Sequence, residues 1–222
     1  MFISIIIPVL NEEQSVKSLL QQLQAYRQQG HEVIVVDGGS DDGTVFVSKP
    51  LADKVITSGS GRAKQMNKGV EESVNEVLWF LHADTSIPKN AIETIQELLS
   101  KNDWGRFNIK LSGSHFLFRI IENMINIRSC LSGIATGDQG IFVKKKTFKS
   151  INGYSEITLM EDVALSKKLK TISAPICVKE VLTTSSRRWE KNGIIKTILL
   201  MWYLRFLYWI GVSPSSLAKL YQ

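Results

Sequence analysis

The residues VLWFLHADT, 77–85, carry the clearest indication of the fold in this sequence. Its first five residues are apolar, and His82, Ala83 and Asp84 follow them. A short hydrophobic run that ends in polar residues is typical of a buried strand in an α/β sheet. Ligands of open α/β sheets bind beyond the carboxyl ends of the strands. The stretch therefore places the Asp84 carboxylate at the mouth of a crevice, where it could bind a divalent metal ion.

Three more buried strands are predicted before this one. They cover residues 2–10, 32–36 and 54–57. Apolar residues at helical spacing between them predict helices, the first capped by Asn11 and a short one capped by Ser40. Alternating strands and helices predict an α/β fold with a doubly wound, mainly parallel sheet flanked by helices. Taken alone, Asp84 would more simply begin a turn, but this order of elements favours a site.

Polar residues recur where the predicted strands end. Glu12, Asp37, a loop at Gly61 and Asp84 all fall at the same edge of the sheet. An acid after a second strand commonly hydrogen-bonds the sugar or base of a nucleotide. Residues 8–13, PVLNEE, lack the glycines that let a pyrophosphate approach the backbone, and there is no Walker motif. A nucleotide would have to be bound in another way.

The composition is that of a globular protein with a substantial core. The 222 residues are 44% hydrophobic and carry a formal net charge of +6, which suits anionic partners such as phosphates or an acidic membrane. The sequence has no dense basic run with interleaved aromatic residues, so nucleic acid is a weaker candidate for a partner.

Cys130 and Cys177 show no metal or redox spacing, and we expect a reducing compartment. Without a secretory leader, we expect a cytoplasmic protein, with the inner face of the cell membrane as a peripheral alternative.

Four blocks together resemble a known family. They are SIIIPVLNEE (4–13), VIVVDGGSDDGT (33–44), GRAKQMNKG (61–69) and FLHADT (80–85). Their order and spacing resemble the nucleotide-sugar-binding half of family 2 glycosyltransferases, which have the GT-A fold. HADT, GDQ and RRW in so short a chain resemble a bacterial subgroup of small enzymes in that family.

The resemblance implies roles for several residues of this first half. The acid after the second strand, Asp37, would contact the nucleobase, and Arg62 and Lys64 would supply basic contacts. The full set that we expect to bind the nucleotide sugar is Pro8, Glu12, Asp37, Arg62, Lys64, His82, Ala83, Asp84 and Arg188.

The metal-binding motif departs from the family pattern. The family's Asp-x-Asp motif binds a divalent cation that bridges the diphosphate, but His82 stands where the first Asp usually is. Asp84 keeps the coordinating position, and one carboxylate with phosphates and water is a workable Mn²⁺ or Mg²⁺ site. His82 either binds the metal ion or a phosphate directly, or it supports the ligands without touching the metal ion.

The second half of the chain would contain the acceptor site. A strand is predicted over residues 104–111 and an amphipathic helix over 116–131, which would pack on the sheet or form a wall of the acceptor site or a membrane contact. In ATGDQGIFV, residues 135–143, the resemblance makes Asp138 and Gln139 acceptor contacts, whereas a polar turn is the simpler interpretation.

Two further blocks of this half bear on catalysis. Glu161 and Asp162 begin a predicted helix, where acids are stabilised by the helix dipole, and the resemblance makes Asp162 the catalytic base with Glu161 as the alternative. SSRRWEKNG, residues 185–193, resembles the family's Gln-x-x-Arg-Trp block with a serine in place of the glutamine. Arg188 would stabilise the departing diphosphate and Trp189 would contact the acceptor, unless the segment is only a solvated basic turn.

The chain ends in a strongly apolar predicted helix, residues 194–210. Lys196 and Arg205 within it argue against a membrane span, and its aromatic residues suit a membrane interface, the domain itself or a second subunit in a homodimer. We expect a GT-A domain over residues 1–190, divided into a nucleotide-sugar half (1–100) and an acceptor half (101–190). Amphipathic helices would follow over 191–222.

The resemblance implies an inverting transfer of a hexose from a nucleoside diphosphate sugar to a hydroxyl of an unidentified acceptor. UDP is the commonest nucleotide of the donors in the family. Two alternatives remain. A nucleotidyltransferase would need a glycine- and arginine-rich loop after the first strand. A non-catalytic sugar-nucleotide-binding or membrane-docked protein would fit the departures at His82 and Ser185, but not the retained Glu161–Asp162 pair.

Overall fold

Seven strands form a single sheet in the computed structural model, which describes residues 1–221. In chain order they are β1 (Ile3–Val9), β2 (Glu32–Asp37), β3 (Lys54–Thr57), β4 (Val77–Phe80), β5 (Trp104–Leu111), β6 (Phe142–Lys144) and β7 (Ile176–Thr184). Their spatial order is β3-β2-β1-β4-β6-β5-β7. All neighbours pair in parallel except β6, which is antiparallel to both β4 and β5. The predicted doubly wound, mainly parallel sheet is confirmed.

Helices cover both faces of this sheet. They are α1 (Glu13–Gln28), α2 (Thr44–Ser48), α3 (Arg62–Glu72), α4 (Ala91–Leu99), α5 (Phe116–Ser132), α6 (Lys145–Ser150), α7 (Glu161–Lys170), α8 (Arg187–Asn192), α9 (Ile194–Trp209) and α10 (Pro214–Tyr221). Alternate β1 residues point to opposite faces, so Ile5 packs in the core beneath α1 and α4, whereas Ile6 packs in the core beneath α3 and α7. A Cβ at Gly69 of α3 would lie 2.5 Å from Ile6 Cγ2, which explains how closely α3 approaches the sheet.

Some local predictions were wrong. Asn11 does not cap α1, which begins at Glu13; its side chain accepts a hydrogen bond from the backbone of Asp41 instead. Ser40 does not cap α2, because its hydroxyl donates to the Asp37 carboxylate. Strand β7 was not predicted; it pairs in parallel with β5, with a shift of register between Phe107 and Asn108.

Helix α5 forms where it was predicted, but most of its apolar residues face solvent. Phe118 and Ile121 pack against Leu111 of β5. The exposed large apolar residues are Phe116, Ile120, Met124, Ile127 and Leu131. We call these five residues the α5 stripe. The prediction that the helix packs on the sheet holds for only one side of it.

Helix α9 has a similar exposed surface. Its buried side is centred on Thr197 and Leu204, and the opposite side exposes Ile195, Leu199, Trp202, Tyr203, Phe206 and Trp209. These six residues are called the α9 stripe. The helix is thus apolar on both sides rather than amphipathic in the ordinary sense. Within residues 1–221, no helix combines the length and the apolar character needed to cross a membrane.

A disulfide joins Cys130 at the end of α5 to Cys177 at the start of β7, with the two Cα atoms 5.8 Å apart. Their separation of 47 residues gave no signal in the sequence. Because disulfides persist mainly in oxidising surroundings, this bond stands against the prediction of a reducing compartment.

Candidate functional site

A cavity of about 480 Å³ opens beyond the carboxyl end of β4, between the sheet and helices α5, α7, α8 and α9. Predicted residues from both halves of the chain line it, together with Ser185. They are Arg62, His82, Asp84, Asp138, Glu161, Asp162, Arg188 and Trp189. Side chains separated by more than one hundred positions in sequence therefore share one cleft.

The first side of the cavity is formed by the residues that follow β4. Asp84 is half-buried, and within residues 1–221 its carboxylate receives no hydrogen bond from another residue. Burial, and next the negative charge of Glu12, raises the pKa of Asp84. The carboxylate is therefore open to a cationic partner, which would offset both effects.

His82 lies beside Asp84 but is packed against another loop. A Cβ built on Gly137 would lie 2.7 Å from His82 Nε2, so glycine is what allows the ring to approach this backbone. The Nε2 atom is buried and has no hydrogen-bond partner within residues 1–221. Burial, and next the positive charge of Arg62, lowers the pKa of His82 to about 3, so the ring is neutral near neutral pH.

The opposite side of the cavity is the start of α7. Asp162 is held by two backbone N–H groups: Gly137 donates to Oδ2 at 2.9 Å, and Val163 donates to Oδ1 at 2.7 Å. Glu161 is buried next to it, and this burial, with the charge of Asp162, raises the pKa of Glu161 to about 7. Asp162 is the carboxylate of this pair whose position is fixed by hydrogen bonds.

The turn of residues 137–139 holds the two residues predicted to contact the acceptor, and only one of them lines the cavity. Asp138 lines the cavity, and burial raises the pKa of its carboxyl. Gln139 does not line it: the side chain is fully buried, and its Oε1 accepts the backbone N–H of Thr136 at 3.0 Å. In this structure Gln139 therefore holds the turn in shape rather than facing a ligand.

The basic segment forms α8. Arg188 and Trp189 line the cavity, and the Arg188 guanidinium stacks on the ring of Tyr221 with 3.7 Å between guanidinium carbon and ring centre. Arg187 points to the other side of the segment, where it lies 3.7 Å from the Glu12 carboxylate and donates to Ser15 Oγ at 2.9 Å.

The remaining predicted residues lie outside the cavity. Asp37 is buried and its carboxylate accepts hydrogen bonds from the backbone of Gly39 and from Ser40, so it stabilises its own turn. Lys64 is exposed on α3 and Ala83 is buried in the core. Pro8 and Glu12 are likewise not among the residues that line the cavity.

Sequence reasoning missed two arginines of the site, Arg128 of α5 and Arg205 of α9. Each is a charged residue within a largely apolar helix, and for Arg205 this signal was used only to argue against a membrane span.

Within residues 1–221 there is no cluster of three or more His, Cys, Asp or Glu side chains that could enclose a metal ion. Asp84 offers one free carboxylate, which fits a Mg²⁺ or Mn²⁺ ion that takes its other ligands from phosphate and water. The buried Nε2 of His82 faces Gly137, so this nitrogen is not available as a ligand without a movement of the ring.

Sequence comparison shows what the chain is similar to. Residues 4–107 match the model described as glycosyl transferase family 2. Glycosyltransferase AglE of Haloferax volcanii is 33% identical over 94 residues, which cover 38% of this chain and 31% of that protein. Beta-monoglucosyldiacylglycerol synthase of Synechocystis is 20% identical over 98% of this chain and 52% of that protein. The chain thus spans between about a third and a half of the length of these relatives.

Solved structures share the fold at low identity. Staphylococcus aureus TarS 1–349 in complex with UDP-GlcNAc has a TM-score of 0.64 and 18% identity, over 83% of this chain and 58% of that one. The mannosyltransferase PcManGT of Pyrobaculum calidifontis, in complex with GDP-Man and Mn²⁺, also has a TM-score of 0.64 and 18% identity, over 82% and 56%. The family match and the shared fold agree with the resemblance in the four sequence blocks. Residues 4–107, close to half of the chain, therefore belong to glycosyl transferase family 2.

Proposed function

We propose that this protein transfers a sugar from a nucleoside diphosphate donor to an acceptor hydroxyl, with inversion at the anomeric carbon. The observation that carries the proposal is the shared cavity, in which Asp84 and Arg62 face Asp162 and Arg188. Family membership supports the reaction class, and the similar structures with UDP-GlcNAc or GDP-Man support a nucleotide-sugar donor.

The donor diphosphate would lie between Asp84 and the arginines. Arg62 begins α3, where the helix dipole adds to its positive charge. A divalent cation on Asp84 would supply charge neutralisation for the departing diphosphate. Arg188 would bind the same group from the other side and stabilise the negative charge that develops on it. We propose UDP as the nucleotide of the donor. Asp37 would reach the uracil base only if its carboxylate gave up the hydrogen bonds that it accepts within its own turn.

Asp162 would act as the general base. As the acceptor oxygen attacks the anomeric carbon, the bond to the diphosphate breaks and the hydroxyl proton passes to Asp162. The two backbone N–H groups hold this carboxylate in one position while leaving it lone pairs for the proton. Below pH of about 7 Glu161 retains its own proton, because its pKa is raised, so it is the weaker candidate for the base. Asp138 and Trp189 would contact the acceptor.

The donor test is a thermal-shift screen of nucleoside diphosphates and their sugars, with and without Mn²⁺. A ligand at 100 times its dissociation constant stabilises the fold by about 2.7 kcal/mol, which the screen detects. We expect a UDP-sugar to raise the melting temperature in wild type and much less in Arg62→Gln. Lys68→Gln is the matched control, because Lys68 lies on the same helix and pairs with Glu71 outside the cavity. No shift with any nucleotide would contradict the proposal.

Turnover is measured on the same samples as release of the nucleoside diphosphate from the donor. Release by wild type supports a transferase. Nucleotide binding without release, with hydroxyl acceptors present, would favour the non-catalytic alternative.

The exposed apolar surface supports peripheral contact with a membrane as part of this proposal. The α5 stripe and the α9 stripe belong to neighbouring helices on which no exposed acidic side chain lies, and the chain from Lys191 to Tyr221 contains no acidic residue. Apolar and aromatic residues with basic neighbours suit an anionic bilayer surface. Residues 191–221 would then contact the membrane together with α5, which belongs to the GT-A domain over residues 1–190.

Vesicle sedimentation tests this contact. We expect wild type to bind phosphatidylcholine vesicles that contain phosphatidylglycerol, and the double variant Phe206→Ser and Trp209→Ser to bind weakly. Phe46→Ser is the control, because Phe46 is an even more exposed apolar residue and lies on α2, away from this surface. A homodimer in sedimentation velocity that dissociates in the double variant, without vesicle binding by wild type, would assign the surface to a second subunit.

A further inference from the structure

Three successive backbone N–H groups beside the cavity donate to side chains. They belong to Ala135, Thr136 and Gly137. The first and the third donate to α7, to Ser166 Oγ at 3.0 Å and to Asp162 Oδ2 at 2.9 Å. The N–H of Thr136, between them, donates to a side-chain oxygen of its own turn at 3.0 Å. Residues 135–137 are thus joined to α7 at two points, and side chains of the helix make both contacts.

The two contacts match in spacing. Asp162 and Ser166 are four positions apart on α7, so they lie on one face of the helix, about 6 Å apart along its axis at about 1.5 Å per residue. Thr136 has an extended backbone, with φ −112° and ψ 157°. Alternate N–H groups of an extended chain point to the same side, and two of its residues cover about 6.6 Å. One turn of α7 therefore matches the two residues that it contacts, and a shift of the helix by one residue would break both hydrogen bonds.

The Ser166 side chain is fully buried behind the site. Its hydroxyl accepts the N–H of Ala135 and also donates to the backbone oxygen of the same residue at 3.3 Å. Ser166 is not among the residues that line the cavity, so it does not face a substrate there. Without this hydroxyl the buried backbone of Ala135 would lose its link to α7, and buried backbone groups rarely stay unpaired.

The position of the Asp162 carboxylate depends on this register. Its other hydrogen bond comes from Val163, the next residue of the same helix, so within residues 1–221 Gly137 is its one hydrogen-bonded link to another element. Leu165 buries α7 against the sheet, but hydrophobic burial is non-directional and restrains sliding or rotation of the helix only loosely. The hydrogen bonds of Ser166 are directional, and they supply the restraint that burial does not.

We propose that Ser166 is a positioning residue for the general base. It fixes α7 against residues 135–137, so that the N–H of Gly137 holds the Asp162 carboxylate in one place at the cavity. Its effect on turnover rests on the proposed glycosyl transfer, whereas the contact itself does not. Because Ser166 acts through Asp162, loss of its hydroxyl should slow the chemical step and leave binding of the donor unchanged.

The first test is Ser166→Ala, with release of the nucleoside diphosphate measured at increasing donor concentration. We expect kcat to fall about tenfold at an unchanged KM for the donor, since a misplacement of about 1 Å can cost about 10²-fold in rate. Ser73→Ala is the matched control and should retain the kcat of wild type. It also removes a buried serine hydroxyl, which donates to the backbone of Val70 at 2.8 Å away from the cavity. If Ser166→Ala does not fold, Ser166→Cys serves the same test, because a thiol is a similar but weaker hydrogen-bonding group.

The second test places Ser166→Ala in the Asp162→Asn background. A residue that acts through Asp162 should have no further effect on kcat there, because residues that act as a unit are not additive. An equal loss of kcat in both backgrounds would overturn the proposal. So would an unchanged kcat in Ser166→Ala, a loss confined to KM, or an equal loss in Ser73→Ala.

Hydrogen exchange tests the contact without turnover. The amide of Gly137 should exchange about tenfold faster in Ser166→Ala than in wild type, which corresponds to about one lost hydrogen bond. In Ser73→Ala it should exchange as in wild type. Unchanged exchange at Gly137 in Ser166→Ala would overturn the inference. Faster exchange there, with no release of nucleoside diphosphate by wild type, would refute the proposed function and leave Ser166 as the residue that positions Asp162.

Discussion

Asp84 and Asp162 face the same cavity from opposite halves of the chain, yet their surroundings differ. Asp162 accepts hydrogen bonds from two backbone N–H groups, whereas Asp84 has none from another residue within 1–221. A carboxylate that backbone N–H groups hold in place, such as Asp162, suits the acceptance of a proton at a fixed position. A carboxylate without such hydrogen bonds, such as Asp84, suits the binding of a cation. Gly137 connects the two sides, since its N–H binds Asp162 and its α-carbon lies against the His82 ring. The difference indicates separate roles for the two carboxylates, which four experiments can test.

The largest effect should come from Asp162→Asn. Loss of a general base typically costs a factor of 10²–10⁴ in rate, so we expect turnover to fall about 10³-fold while nucleotide affinity stays the same. The measurement is kcat with saturating donor, next to the dissociation constant for the nucleotide. Glu161→Gln is the control within the same helix turn, and it should retain far more activity. A larger loss of turnover in Glu161→Gln than in Asp162→Asn would make Glu161 the general base.

Asp84→Asn should act on donor binding instead. Removing the open carboxylate should abolish the dependence on Mn²⁺ and weaken the donor about 10²-fold, the range for losing a charge-assisted contact. Titrating donor with and without Mn²⁺ measures this. Asp41→Asn, an exposed acid after β2, serves as a control. Unchanged Mn²⁺ dependence in Asp84→Asn would show that the metal is bound elsewhere.

Stability should change with pH because of Glu161. The folded protein binds its proton more tightly than the unfolded chain, since the folded pKa is raised from 4.5 to about 7. The stabilisation is therefore complete below pH of about 4.5 and is lost as the pH rises toward 7. The urea midpoint of wild type should fall across this range relative to Glu161→Gln, which does not titrate. Parallel curves for the two proteins would show that the Glu161 pKa is ordinary.

The smallest effect should come from Gly137→Ala. The new Cβ would lie 2.7 Å from His82 Nε2 and would displace the ring, at a cost of about 1–3 kcal/mol in the free energy of unfolding. We expect a fewfold loss of donor affinity in addition. Gly59→Ala is a matched control, because no atom lies within 4 Å of a Cβ there. If His82→Ala combined with Gly137→Ala restores stability, the contact is the cause.

The first half of the chain was predicted well because its signals are local. Runs such as residues 77–81 are apolar throughout, as is typical of buried strands, and the polar residues that follow parallel strands meet at one edge of the sheet. The α7 start was predictable for the same reason, since Glu161 and Asp162 lie next to each other. Asp37 does follow β2, as predicted, but a sequence does not show that Asp37 and Gln139 use their side chains to hydrogen-bond their own turns.

The order of strands and helices, the family and the acids at strand and helix ends were predictable, because hydrophobic periodicity and short motifs encode them within a few residues. The exposed faces of α5 and α9, the bond between Cys130 and Cys177, and the cavity that Arg128 and Arg205 share became visible in the folded chain alone. These features depend on how distant segments pack. A helix with apolar residues on two sides gives no local sign of which side the core will cover.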